Sequence, residues 1–187
     1  MFKSFFLDKK WRLWAWGGFA FIISSLIAQT YIDVQINEWY KGFYDILQKA
    51  TEHDVSEFYD KIFYFFKLAI PYVIIYTITN YFTRLYAFRW REAMTFAYIP
   101  LWKNVDSKVE GASQRIQEDC KAFASIVESL GLQVVRAIML LIAFTPILWG
   151  LSSNVIVPIL KDITGSLVYV SLTASLGGVL ISWFVGI

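Results

Sequence analysis

The side chains best placed to do chemistry are the acidic residues that lead into the third apolar segment of this 187-residue chain. Glu128 and Arg136 are the ionisable residues nearest that segment. On a straight helix Glu128 lies about 15 Å beyond Glu118 along the axis and is rotated about 80° around the axis from it. A carboxylate in or near a helical bundle is a functional hypothesis by default, commonly in a proton relay. The residues alone leave two other interpretations of Glu128 open: an ion pair with Arg136 that joins helices, or an interfacial side chain that faces water.

Other reactive residue types are scarce. The single histidine, His53, lies in a polar and acidic stretch and is expected to be a solvated loop residue. Because Cys120 is the single cysteine, the chain cannot form an intramolecular disulfide. One cysteine and one histidine are also too few to form a zinc cluster within one chain. We therefore predict no catalytic residue, no metal and no cofactor, and an enzyme is the least favoured class of protein.

The composition indicates a membrane protein. Apolar residues make up 57% of the chain, charged residues 17%, and the net charge is +2. An average soluble domain is about 45–50% apolar and about 25% charged. These values exclude a disordered chain, a nucleic-acid-binding arm and a disulfide-rich secreted module.

Four segments are long and apolar enough to cross a bilayer as helices, which needs about 20 residues each. They predict an all-α membrane protein with one transmembrane domain over residues 1–187, and the second of them contains Pro71, which favours a kink. The predicted spans are about 13–32, 62–82, 134–151 and 166–187.

The first span is predicted to be retained rather than cleaved as a signal peptide, because it is too long and has no small-residue cleavage site. Aromatic residues cluster at its start, as in an interfacial belt. These residues are Phe5, Phe6, Trp11, Trp14 and Trp16.

Basic residues alternate between the connecting segments and set the orientation. The N-terminal tail and the segment between the second and third spans are rich in lysine and arginine, whereas the segment between the first and second spans is mostly acidic. Since basic segments stay on the cytoplasmic side, the N-terminus is predicted to be cytoplasmic in a multi-pass protein.

The segment at about 37–50 places aromatic residues among charges at roughly helical spacing. This pattern predicts an amphipathic helix that lies on the outer membrane interface. The alternative is an acidic vestibule that attracts cationic solutes.

The segment at about 84–125 is predicted to form a cytoplasmic extension, because the helical pattern of the second span continues toward Trp102. The motif FRWREAM within it carries Arg89 and Arg91 beside Trp90. These two arginines are explained by anchoring of the chain on the cytoplasmic side.

The motif EGASQRIQED is harder to explain by topology. It places Glu110, Glu118 and Asp119 on a side where anchoring favours cations, and Gln114 and Arg115 are placed to begin the next helix. A turn between two long helices is a suitable place for coupling to an intracellular partner or gate.

Several stretches of this sequence resemble the SbmA/BacA family of inner-membrane peptide-antibiotic transporters. They are MFKSFF, NEWYKGFYDILQKA, FRWREAM, EGASQRIQEDCKAFASIVESLG and the apolar run that ends FTPILWGLS. Related ATP-driven exporter-like proteins tend to read NPDQRI-x-ED where this chain reads EGASQRIQED. The resemblance therefore favours the peptide-transporter branch.

The resemblance implies the transmembrane bundle of an ABC exporter without a fused ATPase, assembled as a homodimer in the bacterial inner membrane. It implies proton-driven uptake of peptides and peptide-like antibiotics, with membrane lipid and protons as the other partners and no nucleic acid. The proton-coupling candidates it implies are Glu118, Glu128 and Glu110. The cytoplasmic motif residues are Gln114, Arg115, Asp119, Arg89 and Arg91.

Two alternatives stay open. The chain is the transmembrane half of an ATP-driven ABC transporter, or it is a membrane anchor without transport activity. No G-x-x-x-x-G-K-[ST] loop occurs in the sequence, although an ATPase domain would follow the membrane domain. Because members of the family are considerably longer, the chain is expected to be the N-terminal part of a longer bundle.

Overall fold

The structure is a computed structural model that describes residues 2–49, 51, 53–102, 112–152 and 165–186. These residues form helices and connecting turns and no strand. The elements in chain order are α1 (Lys3–Phe6), α2 (Arg12–Gln48), α3 (Val55–Trp102), α4 (Ala112–Ile126), a π-helical turn (Val127–Gly131), α5 (Leu132–Leu151) and α6 (Ser166–Val185).

Four helical stretches are long and apolar enough to cross a membrane. This finding, together with the absence of strands among the described residues, confirms the predicted all-α membrane fold. The stretches are Arg12–Gln48, Val55–Leu101, Ile116–Leu151 and Ser166–Val185.

Two helices are longer than the spans predicted within them. Helix α3 continues past the second predicted span to Trp102, and at 1.5 Å per residue its 48 residues measure about 72 Å. The segment predicted as a separate interfacial helix at about 37–50 is instead the last part of α2, which runs unbroken to Gln48. No proline interrupts α2, so its backbone hydrogen bonds continue past the apolar stretch.

The chain divides into two compact units, Met1–Ala137 and Ile138–Ile187. In the first unit α3 packs against α2, α1, α4 and the π-helical turn. The second unit contains the rest of α5 and α6. Within it, Gly165 has a φ of 82° just before α6, and a Cβ atom there would lie 2.6 Å from the ring of Trp149.

Helices α2 and α3 run antiparallel and approach closely at Gly18. A Cβ atom on Gly18 would lie 2.6 Å from the ring of Tyr86, whose hydroxyl donates a hydrogen bond of 2.9 Å to the carbonyl oxygen of Ala15. Further along the pair, the indole N–H of Trp39 donates to the carbonyl oxygen of Lys61 at 2.8 Å. The absence of a side chain at Gly18 thus lets the Tyr86 ring lie against α2.

The short helix α1 is held by an aromatic cluster, here called the Trp90 cluster. Phe5 is fully buried and its ring stacks on that of Trp90, with centroids 5.4 Å apart and an angle of 11° between the planes. Trp90 is 4% exposed and also contacts four further rings, those of Phe2, Phe6, Tyr86 and Phe123.

Only some of the aromatic residues predicted to form an interfacial belt are therefore exposed. Phe5 and Trp11 are buried in the first unit, whereas Trp14 and Trp16 are exposed. Phe5 is buried because α1 packs against α3, and the ring of Trp11 lies beside that of Phe5, with centroids 6.4 Å apart.

Candidate functional site

The structure separates the predicted proton-coupling acids. Glu118 lies exposed on α4, where its Oε1 accepts a hydrogen bond of 2.9 Å from Nε2 of Gln114. Glu128 is half-buried in the π-helical turn that follows α4. Glu110 lies outside the described residues. Of the two described acids, Glu128 is therefore the one removed in part from water.

Glu128 lines a cavity of about 240 Å³ in the first unit, here called the Glu128 cavity. Its walls are apolar and aromatic side chains from α1, α2, α3 and α5, and Glu128 is the only acidic residue among them. Residues that line the cavity include Phe6, Phe19, Tyr86, Trp90, Leu132 and Val135. Glu128 thus contributes to the wall of a predominantly apolar space.

The π-helical turn Val127–Gly131 places Glu128 at this cavity. Single π-helical turns within α-helices are rare and frequently mark functional sites. The hydroxyl of Ser129 donates to the carbonyl oxygen of Ser125 at 2.9 Å, a side-chain contact that competes with regular helical bonding. The sequence signal for the turn is weak, since a serine and a glycine in a helical pattern do not by themselves distinguish a π-helical turn from an α-helical one.

Arg136 does not pair with Glu128. The ion pairs among the described residues are His53–Glu57 and Arg89–Glu92. Nη2 of Arg136 instead donates a hydrogen bond of 2.7 Å to Oε1 of Gln29, and its guanidinium lies 5.5 Å from the ring centre of Tyr76. Among the described residues, therefore, no ion pair joins Glu128 to Arg136.

Arg136 belongs instead to a second polar site, here called the Gln29 cluster, that sequence reasoning missed. Gln29 is 2% exposed, and its Nε2 donates to Oγ1 of Thr79 at 3.1 Å. Thr79 in turn donates to the carbonyl oxygen of Ile75 at 2.7 Å. The available sequence signal is a glutamine within an apolar stretch that contains no charge. A buried amide needs hydrogen-bond partners, so Gln29 indicates that polar groups of other helices lie nearby.

The residues of the predicted cytoplasmic motif are dispersed over α3 and α4. Nη1 of Arg89 bonds Oε2 of Glu92 at 2.9 Å, and the Arg89 guanidinium lies 5.8 Å from the ring centre of Trp14. These contacts fit an anchoring role. Arg91 on α3 and Gln114 and Asp119 on α4 are not among the described residues that line the Glu128 cavity, and the side chain of Arg115 lies outside the described part of the chain.

The remaining reactive side chains have structural surroundings. Cys120 is buried on α4, and Nδ1 of His53 lies 2.7 Å from Oε2 of Glu57 in a turn before α3. Among the described residues no group of three or more His, Cys, Asp or Glu side chains is placed to hold a metal ion.

The four long apolar helical stretches are those of a membrane protein. The family is established by sequence: the model of the SbmA/BacA-like family matches residues 8–187, so the chain belongs to this family, a family of membrane transporters.

A relative in Haemophilus influenzae, described as an uncharacterized ABC transporter ATP-binding protein, is 26% identical over 145 residues. The match covers 71% of this chain and 24% of the relative. The chain thus spans about a quarter of the length of that protein, and the match supports the exporter-like side of the family assignment.

Proposed function

We propose that this chain is part of a proton-coupled transporter that takes up peptides and peptide-like antibiotics across the bacterial inner membrane, with its N-terminus in the cytoplasm. Membership of the SbmA/BacA-like family over residues 8–187 supports the transport of peptides. The observation that carries proton coupling is the placement of Glu128, an acid without a described ion-pair partner, in the wall of an apolar cavity.

Glu128 is the main proton carrier in this proposal. An ionised carboxylate in an apolar wall favours an arrangement open to water, whereas a neutral carboxyl group is compatible with a closed one. Proton binding from outside therefore shifts the population toward a state that closes outward and opens inward. Release of the proton to the cytoplasm resets the transporter.

Glu118 is the second carrier. It is exposed on α4 and bonded to Gln114, so it can exchange protons with water at the end of the path. Glu110 is a third candidate in the same motif. The functional unit is a homodimer in the lipid bilayer, in which each protomer contributes these acids.

The test is uptake of a proline-rich antimicrobial peptide in cells that lack their own peptide importer. Expression of the protein is expected to restore sensitivity and uptake of labelled peptide, and a protonophore is expected to abolish both. Glu128→Gln keeps the shape of the side chain and removes its proton chemistry, so it is expected to abolish uptake.

The matched control is Glu38→Gln, since Glu38 is an exposed acid on α2 away from the Glu128 cavity. Uptake by this variant is expected to equal that of the wild type. Intact uptake by Glu128→Gln would remove Glu128 from the proposal.

The alternative function is the transmembrane part of an ATP-driven ABC transporter. It is favoured by the match to the Haemophilus influenzae protein whose description names an ABC transporter. ATP depletion with an intact proton gradient separates the two: uptake continues if protons drive it and stops if ATP does.

A further inference from the structure

Two of the apolar helices each carry an isolated charge that the proposed transport does not yet use. Arg136 is the only charged residue of α5, and Asp33 is the first charged residue of α2 after the charge-free stretch 13–32. Both side chains are half-buried. Ionisable residues in membrane helices are rare, pair with one another and mark ion or proton pathways. Asp33 and Arg136 are therefore candidates for a part in transport.

The two charges interact across three helices. The guanidinium of Arg136 acts electrostatically on the carboxylate of Asp33, and the side chain of Tyr72 on α3 is a hydrogen-bond partner of the same carboxylate. The guanidinium also lies 5.5 Å from the ring centre of Tyr76. Among the described residues, however, no direct ion pair joins Asp33 to Arg136. Helices α2, α3 and α5 thus meet at two opposite charges that attract each other without a direct bond.

Arg136 has two acceptors on the same face of α2. Its Nη2 donates to Oε1 of Gln29 at 2.7 Å, and Asp33 follows Gln29 by four residues. Residues four apart in a helix are neighbours on one face, with about 5–6 Å between their Cβ atoms. The long arginine side chain can therefore reach either acceptor by a change of rotamer.

Asp33 is the group of this set whose charge changes on the acidic side of the pH scale. The titratable groups that face it are Arg136 from α5 and Tyr72 from α3, and Tyr76 lies beside the guanidinium. Arginine stays charged in proteins, and tyrosine titrates only at alkaline pH. Hydrogen bonds between charged partners are about twice as strong as those between neutral ones. An ionised Asp33 therefore competes with the neutral amide of Gln29 for Arg136, whereas a protonated Asp33 does not.

We propose that Asp33 is a further proton-binding residue of the transporter, and that its charge decides whether Arg136 bonds Gln29 or Asp33. In the proposed orientation Asp33 lies at the outer end of the apolar stretch of α2, where its carboxylate takes a proton from the water on that side. Arg136 follows Glu128 by eight residues in one helical segment, so the exchange of acceptors acts on the segment that carries Glu128. This role rests on the proposed function, whereas the exchange itself is measured without transport.

The first experiment follows the side-chain nitrogen NMR signals of Arg136 in the purified, arginine-labelled protein in detergent micelles. Arg136→Lys assigns these signals by their loss. In the wild type they are expected to move between two limiting positions as the pH rises. In Asp33→Asn, which keeps the shape of the protonated acid, they are expected to stay at the acidic limit. Asp45→Asn, the same substitution at an exposed position of α2, is expected to behave like the wild type.

A double-mutant cycle of Gln29→Leu and Arg136→Leu measures the same exchange through stability. The coupling between the two residues is expected to be at least about fivefold in the unfolding equilibrium constant at acidic pH, and to fall below about twofold at alkaline pH. In the Asp33→Asn background it is expected to keep its acidic value at both. A purely structural role of Asp33 would leave the coupling independent of pH.

Two results would overturn the proposal: Arg136 signals and Gln29 coupling that do not change with pH in the wild type, or the same pH dependence in Asp33→Asn. Peptide uptake on these variants tests the role in transport, and Asp33→Asn is expected to lower uptake strongly while Asp45→Asn leaves it intact. Equal uptake by Asp33→Asn and the wild type would remove Asp33 from transport. Absence of uptake by the wild type would refute the proposed function, and the pH response of Arg136 would still decide the exchange of acceptors.

Discussion

The Glu128 cavity and the Gln29 cluster lie in the same compact unit but differ in whether their polar side chains have bonding partners. In the Gln29 cluster the amide of Gln29 is bonded on both sides, to Arg136 at 2.7 Å and to Thr79 at 3.1 Å. At the cavity, the Glu128 carboxylate has no ion-pair partner among the described residues. Arg136 follows Glu128 by eight residues, so one helical segment contributes to both sites.

The difference separates a structural site from a candidate functional one. A buried polar network in which each group is bonded fixes how helices pack, and loss of one member leaves the others unsatisfied. An acid that lines a cavity without such bonds can change its charge with little rearrangement of its neighbours. The comparison therefore predicts that substitutions in the two regions have different consequences for stability and for transport.

The largest effect on stability is expected at the Trp90 cluster, which forms part of the cavity wall. Trp90→Ala removes a ring that contacts five others and enlarges the cavity, so it is expected to destabilise the protein by about 3–5 kcal/mol. The measurement is reversible unfolding in detergent.

Trp183→Ala is the control for this substitution, since Trp183 is 61% exposed on α6. A loss below about 1 kcal/mol is expected there. Equal losses for the two tryptophans would contradict a packed aromatic wall around Trp90.

A smaller loss is expected when the Gln29 cluster is broken. Gln29→Leu removes the acceptor of the Arg136 hydrogen bond and the donor to Thr79, so we expect a loss of about 1–2 kcal/mol, the range found for polar contacts between helices of model membrane peptides. Gln35→Leu, at a half-buried glutamine of the same helix, is the control and is expected to change stability by less than about 0.5 kcal/mol.

A double-mutant cycle makes this prediction sharper. Once Gln29→Leu is present, Arg136→Leu removes no further Gln29 contact, so the two losses are expected to fall short of additivity by about 1 kcal/mol. Strict additivity would mean that the hydrogen bond between these residues contributes nothing to stability.

Much of the fold follows from local sequence features, whereas both sites depend on contacts between residues that are far apart in the sequence. The apolar runs and the continued helical pattern toward Trp102 predict the long helices, because each needs only its own composition and period. The contacts of Gln29 join residues 50 and 107 positions apart. They depend on the register between helices, which no periodicity in a single helix determines.

The candidate acid was predictable, but its surroundings were not. Glu128 is recognisable as an acid next to an apolar segment, and the resemblance to a transporter family adds weight to it. The π-helical turn that places it has no strong sequence signal, and Phe2 and Phe6 reach the cavity only because α1 folds back against α3. Aromatic residues near a predicted span are equally compatible with an interfacial belt.

The next effect concerns the close approach of α2 and α3 beside the cavity. Gly18→Ala places a Cβ atom 2.6 Å from the ring of Tyr86, a cavity residue, so it is expected to destabilise the protein by about 1–2 kcal/mol. Gly17→Ala is a matched control in the same helix, because a Cβ atom there meets nothing within 4 Å. It is expected to stabilise α2 by up to about 1 kcal/mol. Opposite signs for neighbouring glycines would confirm the helix register, and equal signs would contradict it.

The smallest effect on stability is expected at Glu128 itself, where the effect on transport is expected to be the largest. Glu128→Gln preserves the side-chain shape and breaks no ion pair with a described residue, so the free energy of unfolding is expected to change by less than about 0.5 kcal/mol while peptide uptake is lost. Unfolding and uptake are measured on the same variant. A loss above about 1 kcal/mol would show that Glu128 has a structural partner, as Gln29 does, and the distinction between the two regions would fail. Unchanged stability with lost uptake is the result that the comparison requires, because only a group without structural bonds can lose its proton chemistry and leave the packing intact.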